Sequence, residues 1–348
     1  MTTDITNLRE DGHYPSKQDL SALIAQMDLK PRRESIKPGF IARTDGFDVD
    51  KTVSDLEHRI EVQKQNNPDL SNHDIKEYHL LSRLMSVSDL TSNLYERFKD
   101  NPNSMPNWLG EITHAVESSQ SPFKIPATSV HTLPIELAQF IRLEYQDTSQ
   151  RDKDLFNEYI FDVLELEDDK TYFIKTGTFS SKFQFANAKC AEPREMGEYF
   201  SVINNFAMHI GAGDSVEVVV REYIEDVEKN PTIYNGMPLR TEFRAFVDFD
   251  DHSVIGVVPY WHPVVMKRAL KHGLADSIQQ DYITYQKHED KLNREYNEHI
   301  SYVTKHVKAL LPDVDLTGRY SIDIMKNGDD FYIIDMALME SSALTELL

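Results

Sequence analysis

Short β-type runs separated by turns recur along the chain after residue 158, and they constrain its fold more than any other feature. These runs are rich in Val, Ile, Phe and Tyr, which favour strands. They span residues 159–166, 171–176, 215–224, 240–249, 253–261, 320–325 and 331–336. A long charged block at about 264–311 lies among them and is typical of a helix with a solvated face. The second half of the chain is therefore predicted to be α+β.

The first 120 residues have a different pattern of residue types, which predicts a mostly helical region. The pattern of residues 50–100 indicates helix, and Ser71 with Asp74 forms a capping box ahead of an apolar stripe. Breaks rich in proline, asparagine and serine follow at 99–108 and 118–126. We therefore place a domain boundary near residue 120.

The charge balance and the number of cysteines exclude some classes of protein. The chain of 348 residues carries 37 basic and 58 acidic residues, a formal net charge of −21. Its length predicts two or three domains. The acidity argues against a general nucleic-acid or anionic-membrane binder, because such binding draws on surplus Lys and Arg. The single cysteine cannot form an internal disulfide and no run reaches transmembrane length, so we expect a cytoplasmic protein.

The segment YFIKTGTFSSKF (172–183) brings a strand-borne lysine into a loop of glycine, threonine and serine. Backbone N–H groups freed by the glycine, together with hydroxyls, can wrap phosphate oxygens while a lysine supplies the charge. The alternative is a solvated hairpin tip, and the segment is not a Walker A loop. The candidate phosphate-binding residues are Lys175, Gly177, Ser180, Ser181 and Lys182.

Two further strands end in or contain charge. In EVVVREYIE (217–225) an apolar strand leads into Arg221 and Glu222, and its backbone can pair with a purine edge; a core strand with solvated ends is the alternative. In RTEFRAFVDF (240–249) alternation places Glu242 and Arg244 on one face. Such charges are costly on an inner face unless they meet each other, a ligand or a metal, and a surface ion pair is the alternative.

The last candidate segment, residues 320–341, predicts a hairpin around Asn327–Gly328 with an aspartate on each strand, Asp323 and Asp335. Carboxylates on adjacent strands are hard oxygen ligands of the kind Mg²⁺ requires. A strict two-residue turn would place them on opposite faces, whereas a three- or five-residue loop, or a bulge, would place them on one face. The metal-site hypothesis predicts the longer loop.

Taken in this order, these segments resemble the ATP-grasp proteins, in which two α+β lobes hold Mg-ATP between them, and among these the cell-division-cycle-123 family. The similar segments are FIKTGTFSSKFQFANA, VVVREYI, TEFRAFVDFDDHSVIGVVPYW and SIDIMKNGDDFYIIDMALMESSAL, within residues 170–348. The resemblance implies an α+β ATP-grasp domain over 121–348, with a small lobe at about 121–215 and a large lobe at about 216–348. The mostly helical region 1–120 precedes it.

The resemblance also implies roles for the candidate residues. Lys175 would contact the α- and β-phosphates and Arg244 the terminal phosphate, and both would serve in catalysis. Asp323 and Asp335 would hold Mg²⁺. The residues that would frame the adenine are Arg221, Glu222, Tyr223 and Ile224. The sequence departs from the family pattern after Asp335, because Ala337 stands where an asparagine ligand is usual.

The implied function is that of an ATP-dependent ligase, which activates a carboxylate or similar acceptor by phosphoryl transfer. The alternative is an ATP-bound assembly-chaperone module with little turnover, since the family includes a protein of that kind. The implied cofactors are ATP and Mg²⁺. The acceptor, a small molecule or a protein, is not identified by the sequence, and the acidity argues against nucleic acid.

Overall fold

The computed structural model describes residues 92–134, 137–138, 150–209, 212–271 and 276–348. The helix predicted before residue 92, with its capping box at Ser71 and Asp74, lies outside the described residues. Between residues 92 and 120 the chain is mostly helical.

The helices alternate with the strands along the described chain. They are α1 Ser92–Lys99, α2 Leu109–Ser118, α3 Gln150–Val163, α4 Phe185–Ala188, α5 Met196–His209, α6 Pro263–Lys271 and α7 Asp276–Leu310. Short 3₁₀ turns lie at Met105–Asn107, Lys182–Gln184, Pro193–Glu195, Leu311–Asp313, Met339–Ser341 and Thr345–Leu347. Helices α6 and α7 confirm the charged block as helical.

The strands form two four-stranded antiparallel sheets and a small hairpin. The strands are β1 Thr128–Thr132, β2 Tyr172–Thr176, β3 Lys189–Cys190, β4 Glu217–Glu222, β5 Thr232–Ile233, β6 Met237–Pro238, β7 Glu242–Asp248, β8 Ser253–Pro259, β9 Arg319–Asn327 and β10 Asp330–Leu338. The first sheet has the order β1-β4-β2-β3 and the second β10-β9-β7-β8. Strands β5 and β6 pair separately.

Strand β4 lies between two cores, which explains its almost unbroken run of valines. Val218 and Val220 pack in the core of the first sheet with helices α3 and α5. Val219 faces the other way and packs in the core of the second sheet, where α2 and α7 also contribute. A strand buried on both faces needs apolar residues at successive positions, and the sequence supplies them.

The predicted strand at 159–166 is wrong, because residues 150–163 form helix α3. Phe156, Tyr159, Ile160 and Val163 are buried and follow the i, i+3, i+4, i+7 spacing of a helix face. That spacing was visible in the sequence, and the high β-propensity of the residue types obscured it. Packing against the first sheet decides the outcome in favour of the helix.

The chain leaves the first sheet at a later residue than 215, where the lobe boundary was predicted. Strand β4 runs to Glu222 and belongs to the first sheet, so the chain leaves that sheet after residue 222. A second connection runs through residues 124–128. Lys124 bridges to Tyr332 on β10, and Thr128 pairs with Arg221 on β4.

None of the helices within the described ranges is both long enough and apolar enough to cross a membrane.

Candidate functional site

A cleft lies between the two sheets and encloses about 780 Å³, open solvent included. The cleft gathers residues that the sequence analysis singled out from separate segments. Its lining includes Ser180, Lys182, Arg221, Glu222, Tyr223, Ile224, Asp323 and Asp335. Lys175 and Arg244 reach the same place through ion pairs with the two aspartates.

The two aspartates lie directly opposite each other on β9 and β10. The hairpin turn is short, since Asn327 pairs with Asp330, and the predicted longer loop is wrong. A β-bulge between Ile333 and Asp335 shifts the register by one residue and pairs Asp335 with Asp323. Because a bulge adds one residue to one strand, it brings both carboxylates to the same face. The bulge was one of the geometries that the sequence allowed.

Arg244 on β7 forms an ion pair with Asp323, and this pair does not lie on the surface. Its Nε and Nη2 donate to the two carboxylate oxygens at 2.7 and 2.8 Å. The side chains of Arg244 and Asp323 are 11% and 8% exposed. The predicted alternation of β7 is confirmed, because Phe243 and Ala245 pack in the core behind the sheet while Arg244 faces the cleft. Such a two-point pair fixes the guanidinium plane as well as its position.

Lys175, near the end of β2, donates from Nζ to both oxygens of Asp335 at 2.9 Å each. The lysine side chain is 0% exposed and that of Asp335 is 34% exposed. Burial lowers the pKa of Lys175, while the Asp335 carboxylate opposes the shift. Burial acts to raise the pKa of Asp335, but Lys175 and Arg221 hold that pKa below its usual range. This pair joins the first sheet to the second.

Two further cations face the cleft without a carboxylate partner within ion-pair distance in the described part of the chain. Arg221 is buried and donates from Nη1 to the carbonyl of Ile334, the bulge residue. Lys182 places its Nζ 4.0 Å from the centroid of the Tyr260 ring. Burial lowers the pKa of both side chains. Carboxylates of the cleft, Glu242 for Lys182 and Asp335 for Arg221, offset part of this effect, and a bound anion would stabilise both charges further.

Gly177 and Ser181, two of the residues expected to bind phosphate, are both buried. The Gly177 N–H donates to the Glu217 carbonyl at 3.2 Å and to Ser215 Oγ at 2.9 Å, so it is not available to a phosphate. Glycine is required there by close packing, since a Cβ would lie 2.0 Å from Ser104 Oγ. Ser181 is buried, and its Oγ has no hydrogen-bond partner among the described residues.

The segment from Glu222 to Ile224 forms one end wall of the cleft, where the chain leaves the first sheet. Arg240 holds this wall in place: its Nη2 donates to the Ile224 carbonyl at 2.6 Å and its Nη1 contacts Met325 Sδ at 3.3 Å. The wall therefore presents backbone at a fixed position beside apolar side chains. Apolar side chains that complete this end of the cleft are Phe173, Phe185, Met237, Met325 and Ile334.

Sequence reasoning did not assign these apolar lining residues to the site. Their periodicity indicated only strands, and a side chain such as Met325 has no chemistry that distinguishes a ligand wall from a core. Arg240 could have been found, because it lies two residues before Glu242 in the same charged segment. Glu242 lines the cleft, and burial raises its pKa to about 7.

The donor set suits one magnesium ion with help from a ligand. Within the described ranges no group of three or more His, Cys, Asp and Glu side chains is arranged to hold a metal. Asp323 and Asp335 share one face, and Ala337, the next residue on that face of β10, offers no side-chain oxygen. Mg²⁺ commonly takes one or two carboxylates and completes its shell with phosphate oxygens and water. The residues present fit that mode of binding.

Two antiparallel sheets with flanking helices and a cleft between them make the described part of the chain an α+β protein, as the sequence predicted. Comparison with solved structures finds Cdc123 from Schizosaccharomyces pombe, at 14% identity and a TM-score of 0.41, over 73% of this chain and 89% of that one. It also finds D-alanine–D-alanine ligase from Bacillus anthracis complexed with ATP, at 11% identity and a TM-score of 0.29, over 67% and 55%.

A third similar structure is phosphoribosylglycinamide synthetase from Anaerococcus prevotii, at 10% identity and a TM-score of 0.24, over 74% of this chain and 49% of that one. No family model matches the sequence, and no curated protein matches it. At these identities and TM-scores the likenesses carry no argument about function. The functional conclusion therefore depends on the residues of the cleft.

Proposed function

We propose that the protein binds Mg-ATP in the cleft between its two sheets and uses it to activate an acceptor by phosphoryl transfer. The observation that carries the proposal is the convergence of four cations, Lys175, Lys182, Arg221 and Arg244, at one cleft in a chain of net charge −21. Two of them have no carboxylate in ion-pair contact within the described residues. Burying such charges costs free energy, which a polyphosphate would offset.

The other end of the cleft suits a purine. The backbone of residues 222–224 forms its rim. The Glu222 and Tyr223 N–H groups donate to the Ala127 and Thr171 carbonyls, so the Ile224 N–H is the rim donor that can pair with the edge of a base. Phe173 on β2 and Met325 on β9 supply apolar surface from the two sheets. A flat ring between such walls gains apolar burial, and the backbone rim sets its orientation.

Asp323 and Asp335 would hold the magnesium ion, which, when bound, neutralises charge on the phosphates. Each carboxylate is already held by a cation, Arg244 or Lys175, so its orientation is set before the ligand arrives. Arg244 and Lys175 then lie where negative charge gathers during phosphoryl transfer. Because Lys175 is buried and Arg244 nearly so, water screens their charges weakly.

A carboxylate is the acceptor class that we propose, as in an ATP-dependent ligase. Its oxygen attacks the γ-phosphorus, the bond to the ADP oxygen breaks, and an acyl phosphate and ADP result. A second nucleophile such as an amine then attacks the acyl carbon and phosphate leaves. A carboxylate is ionised at neutral pH, so the first step needs no general base, and we assign none.

A second candidate is an ATP-bound binding module with little turnover. Ala337 favours it, because a side chain without oxygen leaves Asp335 and Asp323 as the carboxylate ligands on this face. A site of this kind can hold nucleotide tightly and transfer the phosphoryl group slowly. The rate of ADP release distinguishes the ligase from the binding module.

The test is calorimetric titration of Mg-ATP into the wild type, Lys182→Ala and a control, Lys170→Ala. Lys170 forms a surface ion pair with Glu167 at 2.8 Å and does not line the cleft. We expect Lys182→Ala to weaken binding about tenfold or more, the usual worth of a charge-assisted contact. Lys170→Ala should bind as the wild type does. A folded wild type that binds no nucleotide overturns the proposal.

Turnover is then measured as ADP release with a panel of carboxylic acids and amines. Release that depends on one acid and one amine supports the ligase. Tight binding with no release from any pair supports the binding module.

A further inference from the structure

The ring of Tyr260 contacts two of the cations that gather at the cleft. The Lys182 Nζ lies 4.0 Å and the Arg244 guanidinium carbon 4.8 Å from the centroid of this ring. Both distances are within the limit of about 6 Å for a cation near an aromatic face, whose negative charge attracts it. Lys182 follows β2 of the first sheet, whereas Arg244 belongs to β7 of the second. One ring therefore contacts a cation from each side of the cleft.

Strand register explains the position of Tyr260. Val258 on β8 pairs with Arg244, and the faces of a strand alternate, so Tyr260 belongs to the face that carries Arg244. The Tyr260 N–H donates to the Glu242 carbonyl at 2.9 Å, which extends the pairing of β7 and β8 by one residue. The ring also meets the buried Trp261 ring edge-to-face, with centroids 4.9 Å apart and planes at 72°. These contacts set the orientation of Tyr260 before a ligand binds.

The two cations depend on this ring to different degrees. Arg244 is already fixed by its two-point pair with a carboxylate on β9. Lys182 forms no ion pair within the described ranges, and its Nζ lies 5.8 and 5.9 Å from the centroids of Phe183 and Trp261. Tyr260 is therefore the ring nearest to the Lys182 ammonium. A lysine without such a contact loses its rotamer freedom only when a ligand binds, and that cost lowers the affinity.

We propose that Tyr260 is a positioning residue, whose ring face holds the Lys182 ammonium in place for the phosphates of the nucleotide. This inference rests on the proposed function, since it concerns the same ligand. Lys182 lines the cleft and Tyr260 lies outside its lining, so Tyr260 acts through the lysine. The alternative role is packing in the apolar cluster of Phe185 and Trp261. Packing needs only apolar bulk, whereas positioning needs the negative face of an aromatic ring.

The experiment measures the affinity for Mg-ATP by calorimetry in the wild type, Tyr260→Leu, Tyr260→Phe and a control, Tyr302→Leu. Tyr302 lies on α7, is 36% exposed and does not line the cleft. We expect Tyr260→Leu to weaken binding about three- to tenfold, the usual cost of ordering one long side chain on binding. Tyr260→Phe keeps the ring face and should bind within about twofold of the wild type, as should Tyr302→Leu.

A double-mutant cycle with Lys182→Ala tests whether Tyr260 acts through the lysine. In the Lys182→Ala background, Tyr260→Leu should weaken binding by about twofold or less, because Arg244 keeps its carboxylate pair. Circular dichroism establishes that each variant is folded. If Tyr260→Leu is not folded, a trifluorinated phenylalanine in place of Tyr260 decides, because it keeps the shape of the ring and removes most of its negative face. The same loss of affinity is expected for it.

Three results overturn the inference while the proposed function stands. The first is a folded Tyr260→Leu that binds Mg-ATP as the wild type does, and the second is a Tyr260→Phe that loses as much affinity as Tyr260→Leu. The third is an equal loss from Tyr260→Leu with and without Lys182. A wild type that binds no Mg-ATP overturns the proposed function and this inference together.

Discussion

The ion pair between Lys175 and Asp335 gives an asymmetric prediction about stability. The Lys175 ammonium is sealed from solvent, whereas the Asp335 side chain is 34% exposed. Removing the carboxylate leaves a buried charge without its partner, which costs roughly 3–5 kcal/mol in other proteins. Removing the lysine leaves a carboxylate that can still reach water, so the cost should be about 1 kcal/mol.

We therefore expect Asp335→Asn to lower the free energy of unfolding by about 3 kcal/mol, near the lower figure because Asn keeps one acceptor oxygen. Lys175→Met should lower it by about 1 kcal/mol. The double variant should be more stable than Asp335→Asn alone, because no charge is then buried unpaired. In a chain of 348 residues, whose unfolding entropy is roughly 2.1 cal/mol/K per residue, the loss for Asp335→Asn corresponds to a fall in Tm of about 4 °C.

The assay is urea unfolding at pH 7 without nucleotide, followed by circular dichroism and by tryptophan fluorescence. If the two probes give the same transition, unfolding is two-state and is described by one free energy of unfolding. Equal losses for the two single variants, or a double variant at least as unstable as the sum of both, would refute the reasoning. The first outcome would mean that water reaches Lys175, and the second that the pair has no coupling.

Three other predictions concern acid stability, packing and the metal. Although burial opposes it, Lys291 and Lys326 lower the pKa of Glu228 to about 2 from an ordinary value of 4.5. Because the pKa of Glu228 is lower in the folded than in the unfolded state, its ionised carboxylate stabilises the fold at pH values above the unfolded-state pKa. A contribution of up to about 3 kcal/mol to the free energy of unfolding should therefore be lost as the pH falls from 4.5 towards 2. The difference in unfolding free energy between the wild type and Glu228→Gln should therefore shrink between pH 7 and pH 3, and a constant difference contradicts this. Gly177→Ala should lower the free energy of unfolding by about 1–3 kcal/mol, because its Cβ would lie 2.0 Å from Ser104 Oγ, and an unchanged thermal transition would contradict the packing. Ala337→Asn should increase the Mg²⁺ dependence of nucleotide binding by adding a hard oxygen ligand on the face of Asp335, and Mg²⁺ titrations identical to those of the wild type would contradict it.

The β7 segment shows what local pattern predicts well. Alternation in RTEFRAFVDF placed Phe243 and Ala245 behind the sheet and Arg244 on the other face, and burial confirms this. A strand repeats every two residues, so its faces can be assigned without knowing its neighbours. The partner of Arg244 could not be assigned in that way, because it depends on which residue of β9 lies opposite.

The hairpin of β9 and β10 shows where the pattern fails. The sequence allowed several geometries for Asp323 and Asp335, and the structure combines a short turn with a bulge next to Asp335. A bulge changes the pairing by one residue and leaves little trace in composition. In the same way, Gly177 was expected to serve a loop and instead allows close packing against Ser104, a residue 73 positions away in the chain.

By itself, the sequence determined which segments could be strands, which face of β7 carried charge, and that Lys175, Asp323 and Asp335 stood where apolar runs met polar chain. These features follow from side-chain chemistry and a local period, which hold for each segment alone. The tertiary structure decided which charges meet, that the Gly177 N–H donates to Ser215 Oγ, and that Glu242 lines the cleft. Such outcomes depend on strand register and on the contact between two sheets, because ion pairs form across strands and not along them.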